Sequence, residues 1–164
     1  MLPDVLAGGL RLVVCGSAAG ARSAAVGCYY AGPGNAFWRT LAETGLTPRL
    51  LAPAEFALLP RFGIGLTDLV KDQSGSDTAL DFERADRAGL RAKMLRHQPG
   101  ILCFNGKRAA REFLGGDVAY GLQAASIGAT QLFVAPSTSG AARAAWDPRI
   151  WADLARRVRA LPLP

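Results

Sequence analysis

The 164-residue sequence is poor in the side chains that bind metals. It contains one histidine, His97, and three cysteines, Cys15, Cys28 and Cys103, with no Cys-x-x-Cys spacing between them. Zinc and iron–sulfur sites take about four such ligands at close spacing. We therefore expect no metal site. Cys15 and Cys103 lie in apolar runs, where a buried free thiol is the ordinary outcome.

Long apolar runs are also missing. No stretch approaches the roughly 20 residues that span a bilayer, and the opening MLPDVLAGGL lacks the basic region of a secretory signal. Half of the residues are nevertheless hydrophobic, which is enough for a sizeable core and excludes a disordered chain. We expect a cytoplasmic, monomeric protein without membrane contact, folded as a single domain over residues 1–164.

Acidic residues are outnumbered by basic ones. Lysine and arginine total 19 against 13 aspartates and glutamates, for a net charge of +6. A basic surface suits a polyanionic partner, because Lys and Arg displace counterions from phosphates. An overall abundance of Arg and Ala would give the same balance, so charge alone leaves nucleic-acid binding open.

Apolar runs and turn-forming residues alternate along the chain. The predicted strands are LRLVVC, GIGLTDLV, ILCFNG and QLFVAP. The predicted helices are NAFWRTLAETG, AEFALLPRF, residues 82–98, KRAAREFLG and WDPRIWADLARRVRAL. Strands that alternate with helices predict an α/β fold, with a central, mostly parallel sheet of four strands covered on both faces.

Functional loops in such a fold follow the carboxyl ends of the strands. Four loops qualify, at residues 16–34, 67–77, 105–107 and 136–143. We expect them to converge on one crevice.

The composition of these loops suits a flat base and a phosphate. In the first loop, Gly16 and Gly20 permit close backbone approach, and Tyr29 or Tyr30 offers a ring on which a base could stack, a contact worth about 1–3 kcal/mol. Both tyrosines could equally be core residues. In PSTSGAAR, the hydroxyls, the glycine and the arginine suit phosphate oxygens, or the loop simply caps the next helix.

Taken in order, these segments resemble the uracil-DNA glycosylase superfamily, nearest its mismatch-specific uracil/thymine-DNA glycosylase branch. The matching motifs are GSAAG, GPGNAFWRTLAETGLTP, GIGLTDLV, FNGK and VAPSTSGAAR, which span about residues 10 to 150. The resemblance implies a three-layer α/β/α sandwich and an enzyme without cofactors that hydrolyses the N-glycosidic bond of uracil flipped out of DNA. Its substrate would be uracil-containing DNA, double- or single-stranded, and free uracil would be a product.

The resemblance also implies how the base is held. The turn from Gly16 to Gly20 would lie under the flipped base, Ser23 would lie near its 5-position, and Tyr30 would stack on it. Asn105 would read the edge of the base or cap the following helix.

The late loop is implied to pinch the DNA backbone and to probe the gap left by the flipped base. Relatives often carry a bulky wedge there, whereas this chain has Ala141, so gap filling is weaker or falls to Arg143. The implied DNA-binding residues are Lys107, Ser137, Thr138, Ser139, Gly140, Ala141 and Arg143.

The first motif departs from the pattern. Relatives place Asn or Asp inside this turn to hold the attacking water, whereas GSAAG offers only Ser17, a poor general base at neutral pH. Asp68 and Asn35 are the candidate replacements. Asp68 would orient a water, read the base edge or cap the following turn, and Asn35 would do catalytic work or cap a helix.

Three other functions fit the same residues. The alanines of the first loop leave room for another deaminated base, such as hypoxanthine. The empty first turn also suits a catalytically weak module that binds uracil or other damage. A small nucleotide-binding α/β protein unrelated to DNA is the remaining alternative.

Overall fold

The computed structural model describes residues 2–162 and contains one five-stranded sheet. Its strands are β1 (Leu12–Gly16), β2 (Ile64–Asp68), β3 (Ile101–Asn105), β4 (Gly121–Ile127) and β5 (Thr130–Ala135). They lie in the order β2-β1-β3-β5-β4, and every neighbouring pair is parallel except β4 with β5. The sequence predicts a mostly parallel sheet, and the structure confirms this.

The predicted number of four strands is wrong by one. The additional strand, β4, pairs antiparallel with β5 at the edge of the sheet, and most of its residues are exposed or half-buried. The sequence of this edge strand, GLQAASI, has Leu122 and Ile127 separated by small and polar residues, so it contains no apolar run of the kind that predicts a buried strand.

Helices cover both faces of the sheet. They are α1 (Ala21–Val26), α2 (Phe37–Glu43), α3 (Arg87–His97), α4 (Lys107–Leu114) and α5 (Pro148–Arg159). Successive strand residues point to opposite faces: Leu12 and Val14 pack with α2 and α5, and Val13 and Cys15 pack with α3 and α4. The result is the expected α/β/α sandwich.

Two of the predicted helices differ from the structure, one in its bounds and one in its type. The predicted helix over 82–98 is divided into a 3₁₀ turn, Phe82–Arg84, and α3. The Asp86 side chain accepts a hydrogen bond from the Gly89 N–H at 2.8 Å. This side chain is the N-cap of α3, so α3 begins after Asp86 and is separate from the 3₁₀ turn. AEFALLPRF lies in a 3₁₀ segment, Pro53–Phe62, rather than in an α-helix.

Parallel pairing between β1 and β2 sets the positions of the first two loops. Gly16 is directly opposite Asp68 in this register. Beyond the strands, the Leu69 and Val70 N–H groups donate to the Gly16 and Ser17 carbonyls at 2.9 and 2.7 Å. The loop after β1 and the loop after β2 are therefore joined where each begins.

We expect Gly65→Ala to destabilise the fold by about 1–3 kcal/mol. A Cβ at this position would lie 2.5 Å from the Val5 carbonyl oxygen, and that backbone is held because Val5 and Leu66 bond each other in both directions. Urea unfolding measures the loss. Gly8→Ala is the control, because a Cβ there would meet nothing within 4 Å; equal stability of the two variants would contradict the prediction.

Candidate active site

The four loops meet at a crevice of about 640 Å³ at the carboxyl ends of the parallel strands. Its lining includes fourteen of the residues singled out from the sequence: Gly16, Ser17, Gly20, Ser23, Tyr30, Asn35, Asp68, Asn105, Lys107, Ser137, Thr138, Ser139, Gly140 and Ala141. Arg143 lies beside the crevice instead, with its Nη2 3.4 Å from where a Cβ on Gly34 would stand.

Asp68 brings an acidic group to the floor of the crevice. Its side chain is buried, with 6% of the residue exposed, and it makes no hydrogen bond within residues 2–162. Burial raises the pKa of this carboxyl to about 6, because the charged form loses water; nearby Lys71 lowers the pKa and Asp4 raises it. Such a carboxylate can accept a proton near neutral pH.

Gly16 allows this carboxyl to lie against the first turn. A Cβ at position 16 would stand 2.9 Å from Asp68 Oδ1 and 3.2 Å from the Tyr30 hydroxyl. The first contact is shorter than folded proteins tolerate, so a side chain here would displace the acid. The glycine therefore keeps the carboxyl and the hydroxyl together over the turn.

Tyr30 has an unusual backbone and a buried hydroxyl. Its φ of 51° is in the left-handed region, and its ring stacks on Phe37 with centroids 4.1 Å apart. Within residues 2–162 the hydroxyl makes no well-aligned hydrogen bond. Burial raises its pKa far above the ordinary value, Asp68 adds to the rise, and the nearby Asn105 amide lowers it. Because Phe37 covers one face of the ring, a base would have to stack on the other.

Two of the predicted base-binding side chains hold the loops in place. Ser23 Oγ accepts a hydrogen bond from the Ala31 N–H at 2.9 Å. The Asn105 amide pairs with Thr138 twice, since Nδ2 donates to Oγ1 and Oδ1 accepts from the backbone N–H, both at 3.0 Å. Asn105 thus joins the end of β3 to the late loop and does not cap α4, leaving one N–H and one lone pair for another partner.

Asn35 also has a structural partner. Its Oδ1 accepts a hydrogen bond from the Phe37 N–H at 3.0 Å, at the start of α2. The Ala36 N–H then donates to the Thr138 carbonyl at 2.9 Å. Gly34 and Gly140 touch beside this bond, since a Cβ on Gly140 would lie 3.2 Å from the Gly34 oxygen. The first and late loops are therefore packed directly together.

Some crevice residues were missed at the sequence level. Arg22 lines the crevice and forms no ion pair within residues 2–162. It lies in the predicted loop 16–34, and a basic residue just after Gly20 was the available signal. Residues 76–78 also line it; 76 and 77 belong to the predicted loop 67–77, but none of the three was a predicted site residue. Their position depends on a bridge between Ala19 and Ser74, with the Gly75 N–H donating to Ala19, and no sequence pattern indicates that bridge.

Positive charge accompanies the acid. Lys107 and Arg22 both line the crevice, and Lys107 Nζ lies 4.4 Å from the centre of the Tyr120 ring. Neither cation is paired with a carboxylate in the part of the chain that the structure describes. A crevice with unpaired cations favours an anionic ligand.

Over residues 2–162, no three His, Cys, Asp or Glu side chains are grouped so that they could hold a metal ion. No helix in the same span is long and apolar enough to cross a bilayer.

The fold and crevice define an α/β protein with a ligand site at the strand ends. The family model of the uracil DNA glycosylase superfamily matches residues 3–155, so the chain belongs to this superfamily. Its fold is similar to the solution NMR structure of a candidate uracil DNA glycosylase from Methanosarcina acetivorans, with a TM-score of 0.63 and 24% identity over 96% of each chain. The resemblance seen in the sequence is confirmed for the superfamily and for the fold.

Replacing Asp68 with Asn should make the protein more stable at pH 7.5. The carboxyl has a pKa of about 6 in the folded state against an ordinary 3.8, so its ionisation favours unfolding. The penalty is absent below pH 3.8 and complete above pH 6, where it amounts to about 3 kcal/mol. Urea unfolding between pH 3.5 and 8 should show the variant's advantage grow over that interval.

Asp4→Asn is the matched control, with the opposite sign. Burial raises the pKa of Asp4, but hydrogen bonds from Lys93, Thr67 and Lys71 lower it more, and the pKa lies below its ordinary value. Asp4→Asn should therefore lose stability at neutral pH and recover it in acid. An Asp68→Asn protein that is equally or less stable than the parent at pH 7.5 would contradict the assignment of a buried, unpaired carboxyl.

Proposed function

We propose that this protein is a monofunctional DNA glycosylase that hydrolyses the N-glycosidic bond of uracil flipped out of DNA, leaving an abasic site and free uracil. Membership of the superfamily supports glycosylase chemistry. The observation that carries the proposal is the buried Asp68 carboxyl, which has no partner within residues 2–162 and lies at the floor of a crevice of nucleotide size.

In the proposed reaction, Asp68 is the general base that activates the attacking water. A water oxygen bonds to C1′ of the flipped nucleotide, the C1′–N1 bond breaks, and the uracil leaves with the electron pair while Asp68 accepts the water proton. A pKa of about 6 leaves most of this carboxyl ionised at neutral pH and close to the optimum for a general base. The carboxylate also stabilises the positive charge that develops on the sugar.

Ser17 is proposed to orient that water. It is buried in the first turn and lines the crevice, and its hydroxyl makes no hydrogen bond within residues 2–162. The Val70 N–H fixes its carbonyl at 2.7 Å, which holds the residue beside the end of β2. A hydroxyl supplies a hydrogen bond to water but no base, so Ser17 assists Asp68 and does not replace it.

The base would be held by Tyr30 and Asn105. Tyr30 offers the ring face that Phe37 leaves open, and Asn105 offers its remaining N–H and lone pair to the base edge. Gly16, Gly20 and Ser23 form the surrounding wall. Asn35, whose side-chain oxygen caps α2, is proposed to position the wall and not to contact water.

The DNA backbone would run along the polar side of the crevice. Lys107 and Arg22 supply charge there, and Arg143 lies beside Gly34. Ser137, Ser139 and Gly140 in the late loop offer hydroxyls and backbone to phosphate oxygens.

Single-turnover cleavage of a uracil oligonucleotide, followed by alkali to break abasic sites, tests the activity. Asp68→Asn should lower the rate by about 10²–10⁴-fold, the range for loss of a general base. The parent's rate should fall about tenfold per pH unit below pH 6, as Asp68 is protonated. Asp72→Asn is the control, because that exposed acid pairs with Arg84 and lies outside the main crevice. A full rate in Asp68→Asn would contradict the mechanism.

Duplex binding should weaken with salt in proportion to the cations that contact phosphate. Lys107→Gln should reduce the slope of log K against log salt by about 1. Arg96→Gln is the control, since this exposed arginine lies in the last turn of α3 and does not line the crevice. Fluorescence anisotropy with an uncleavable duplex gives both slopes; identical slopes would remove Lys107 from the interface.

A second candidate is a glycosylase for another deaminated base such as hypoxanthine. Ala18 and Ala19 line the crevice in the first turn, and their small side chains leave space there for a larger base. Release of hypoxanthine but not uracil in the same assay would select this function. Binding of uracil DNA without release of any base would instead indicate a damage-binding module.

A further inference from the structure

A second, smaller cavity of about 180 Å³ adjoins the crevice at Asp68. Asp68 lines both spaces, and it shares this position with Leu2 and Ala19. The other residues that line the second cavity are Ala24, Val70, Lys71, Asp72, Gln73 and Ser74. Asp68 therefore borders the proposed base site on one side and, on the other, a cavity in which Lys71 is the one cationic residue among those described.

Lys71 is held at the wall of this cavity by an acid from the N-terminal segment. Its Nζ lies 2.9 Å from Asp4 Oδ1. Asp4 also accepts a hydrogen bond from Thr67 Oγ1 at 2.7 Å and pairs with Lys93 of α3 at 2.5 Å. Because Thr67 immediately precedes Asp68 on β2, these contacts join the N-terminal segment and α3 to the end of that strand.

The N-terminal segment is itself fixed on both sides of Asp4. The Tyr29 hydroxyl donates a hydrogen bond to the Pro3 carbonyl at 2.8 Å. Val5 and Leu66 bond each other through their backbones at 2.8 and 2.9 Å. Asp4 lies between these two anchored residues, so it keeps its lysine partners at a defined place beside the strand end.

The charges at this strand end balance only when Asp68 is ionised. We name Asp4, Lys71 and Lys93 the Asp4 cluster; its two lysines pair with one carboxylate, which leaves one positive charge in excess. All three side chains are largely shielded from solvent, so salt and water screen this charge less than they screen a surface charge. An excess positive charge nearby favours the ionised form of a carboxyl group.

The other titratable groups around Asp68 are neutral or paired. Burial raises the pKa of one thiol and two hydroxyls well above their ordinary values, and the charge of Asp68 adds to each rise. These groups, which are uncharged at neutral pH, are Cys15, Tyr29 and Tyr30. Asp72 lines the second cavity but forms an ion pair with Arg84. The Asp4 cluster is therefore the source of net charge on this side of Asp68.

We propose that Lys71 is a positioning residue of the same site: held by Asp4 at the second cavity, it keeps the Asp68 carboxyl ionised, and so able to accept the water proton, while DNA fills the crevice. The inference rests on the proposed function and adds a residue that controls it. DNA in the crevice would displace water from one side of Asp68 and disfavour its charge. Lys71 lines the second cavity and not the crevice, so its charge acts from the side that DNA leaves free.

Carbon-13 NMR of the aspartate carboxyl groups measures the charge on Asp68 without turnover, and Asp68→Asn identifies its signal. Lys71→Met should move the midpoint of this titration to higher pH by about one pH unit, because one opposite charge is lost. Lys71→Arg keeps the charge and should restore the parent's midpoint. An unchanged midpoint in Lys71→Met would overturn the inference.

Asp4→Asn should have the opposite effect in the same titration. It removes a like charge and leaves both lysines, so the midpoint of Asp68 should move to lower pH. A change that merely loosened the site would move the midpoint in the same direction in Asp4→Asn and Lys71→Met, and that result would overturn the inference. Arg96→Met is the control for net charge, since this exposed residue of α3 lines neither cavity; it should leave the midpoint unchanged.

Single-turnover cleavage of a uracil oligonucleotide, at saturating protein, extends the test to the DNA complex. Lys71→Met should lower the rate about fivefold at pH 6 and leave it within about twofold of the parent's at pH 8.5, where Asp68 is ionised in both proteins. An equal loss at both pH values would indicate a structural role and overturn the inference. Absence of cleavage by the parent would overturn the proposed function, whereas the NMR midpoint decides separately whether Lys71 controls the charge on Asp68.

Discussion

The parallel pairing of β1 with β2 is the constraint on which the candidate site depends. It sets Gly16 opposite Asp68, and the first loop then follows β2 outward through bonds from Leu69 and Val70 to the Gly16 and Ser17 carbonyls. Adjacent strands lie about 4.8 Å apart, so an acid at the end of β2 is one strand spacing from the first turn. The carboxylate that this turn lacks is therefore available from the neighbouring strand, provided that position 16 has no side chain.

A buried, unpaired carboxylate is an expensive element in a folded protein. The rise in the pKa of Asp68 expresses that cost, and burial is its main cause. The nearby Asp4 is also partly buried, yet its pKa is lowered, because Thr67, Lys71 and Lys93 donate hydrogen bonds to it. Two acids at the same end of the sheet thus have opposite environments, and the one without partners is the one that lines the crevice. A desolvation cost of this kind is typical of functional positions, where a reactive group is kept at the expense of folding stability.

The sequence contained much of the fold and some of the site. Apolar runs were sufficient to find β1, β2, β3 and β5, because both faces of these strands are buried. The exposed edge strand β4 has no such run. In the site, motif order pointed to Asp68 as an acid near the first turn. Its lack of a partner and its raised pKa come from packing between segments far apart in the chain, which no local pattern encodes.

The side-chain amides of the site also show what a local sequence pattern can and cannot predict. The sequence indicated Asn35 and Asn105 as candidates for catalysis and base reading, since an amide at a strand end or helix start can do either. A long-range contact decides how much of the Asn105 amide is available, whereas Asn35 makes the local contact at a helix start that was one of its two predicted roles. Asn105 is paired twice with Thr138, 33 residues away, while Asn35 caps α2 beside the same loop. Asn105 fixes the late loop to the end of β3, and the bond between the first and late loops is a backbone one, from the Ala36 N–H to the Thr138 carbonyl. The polar groups left for a ligand at these strand ends are therefore decided by contacts between distant segments as well as by the local motif in which each residue lies.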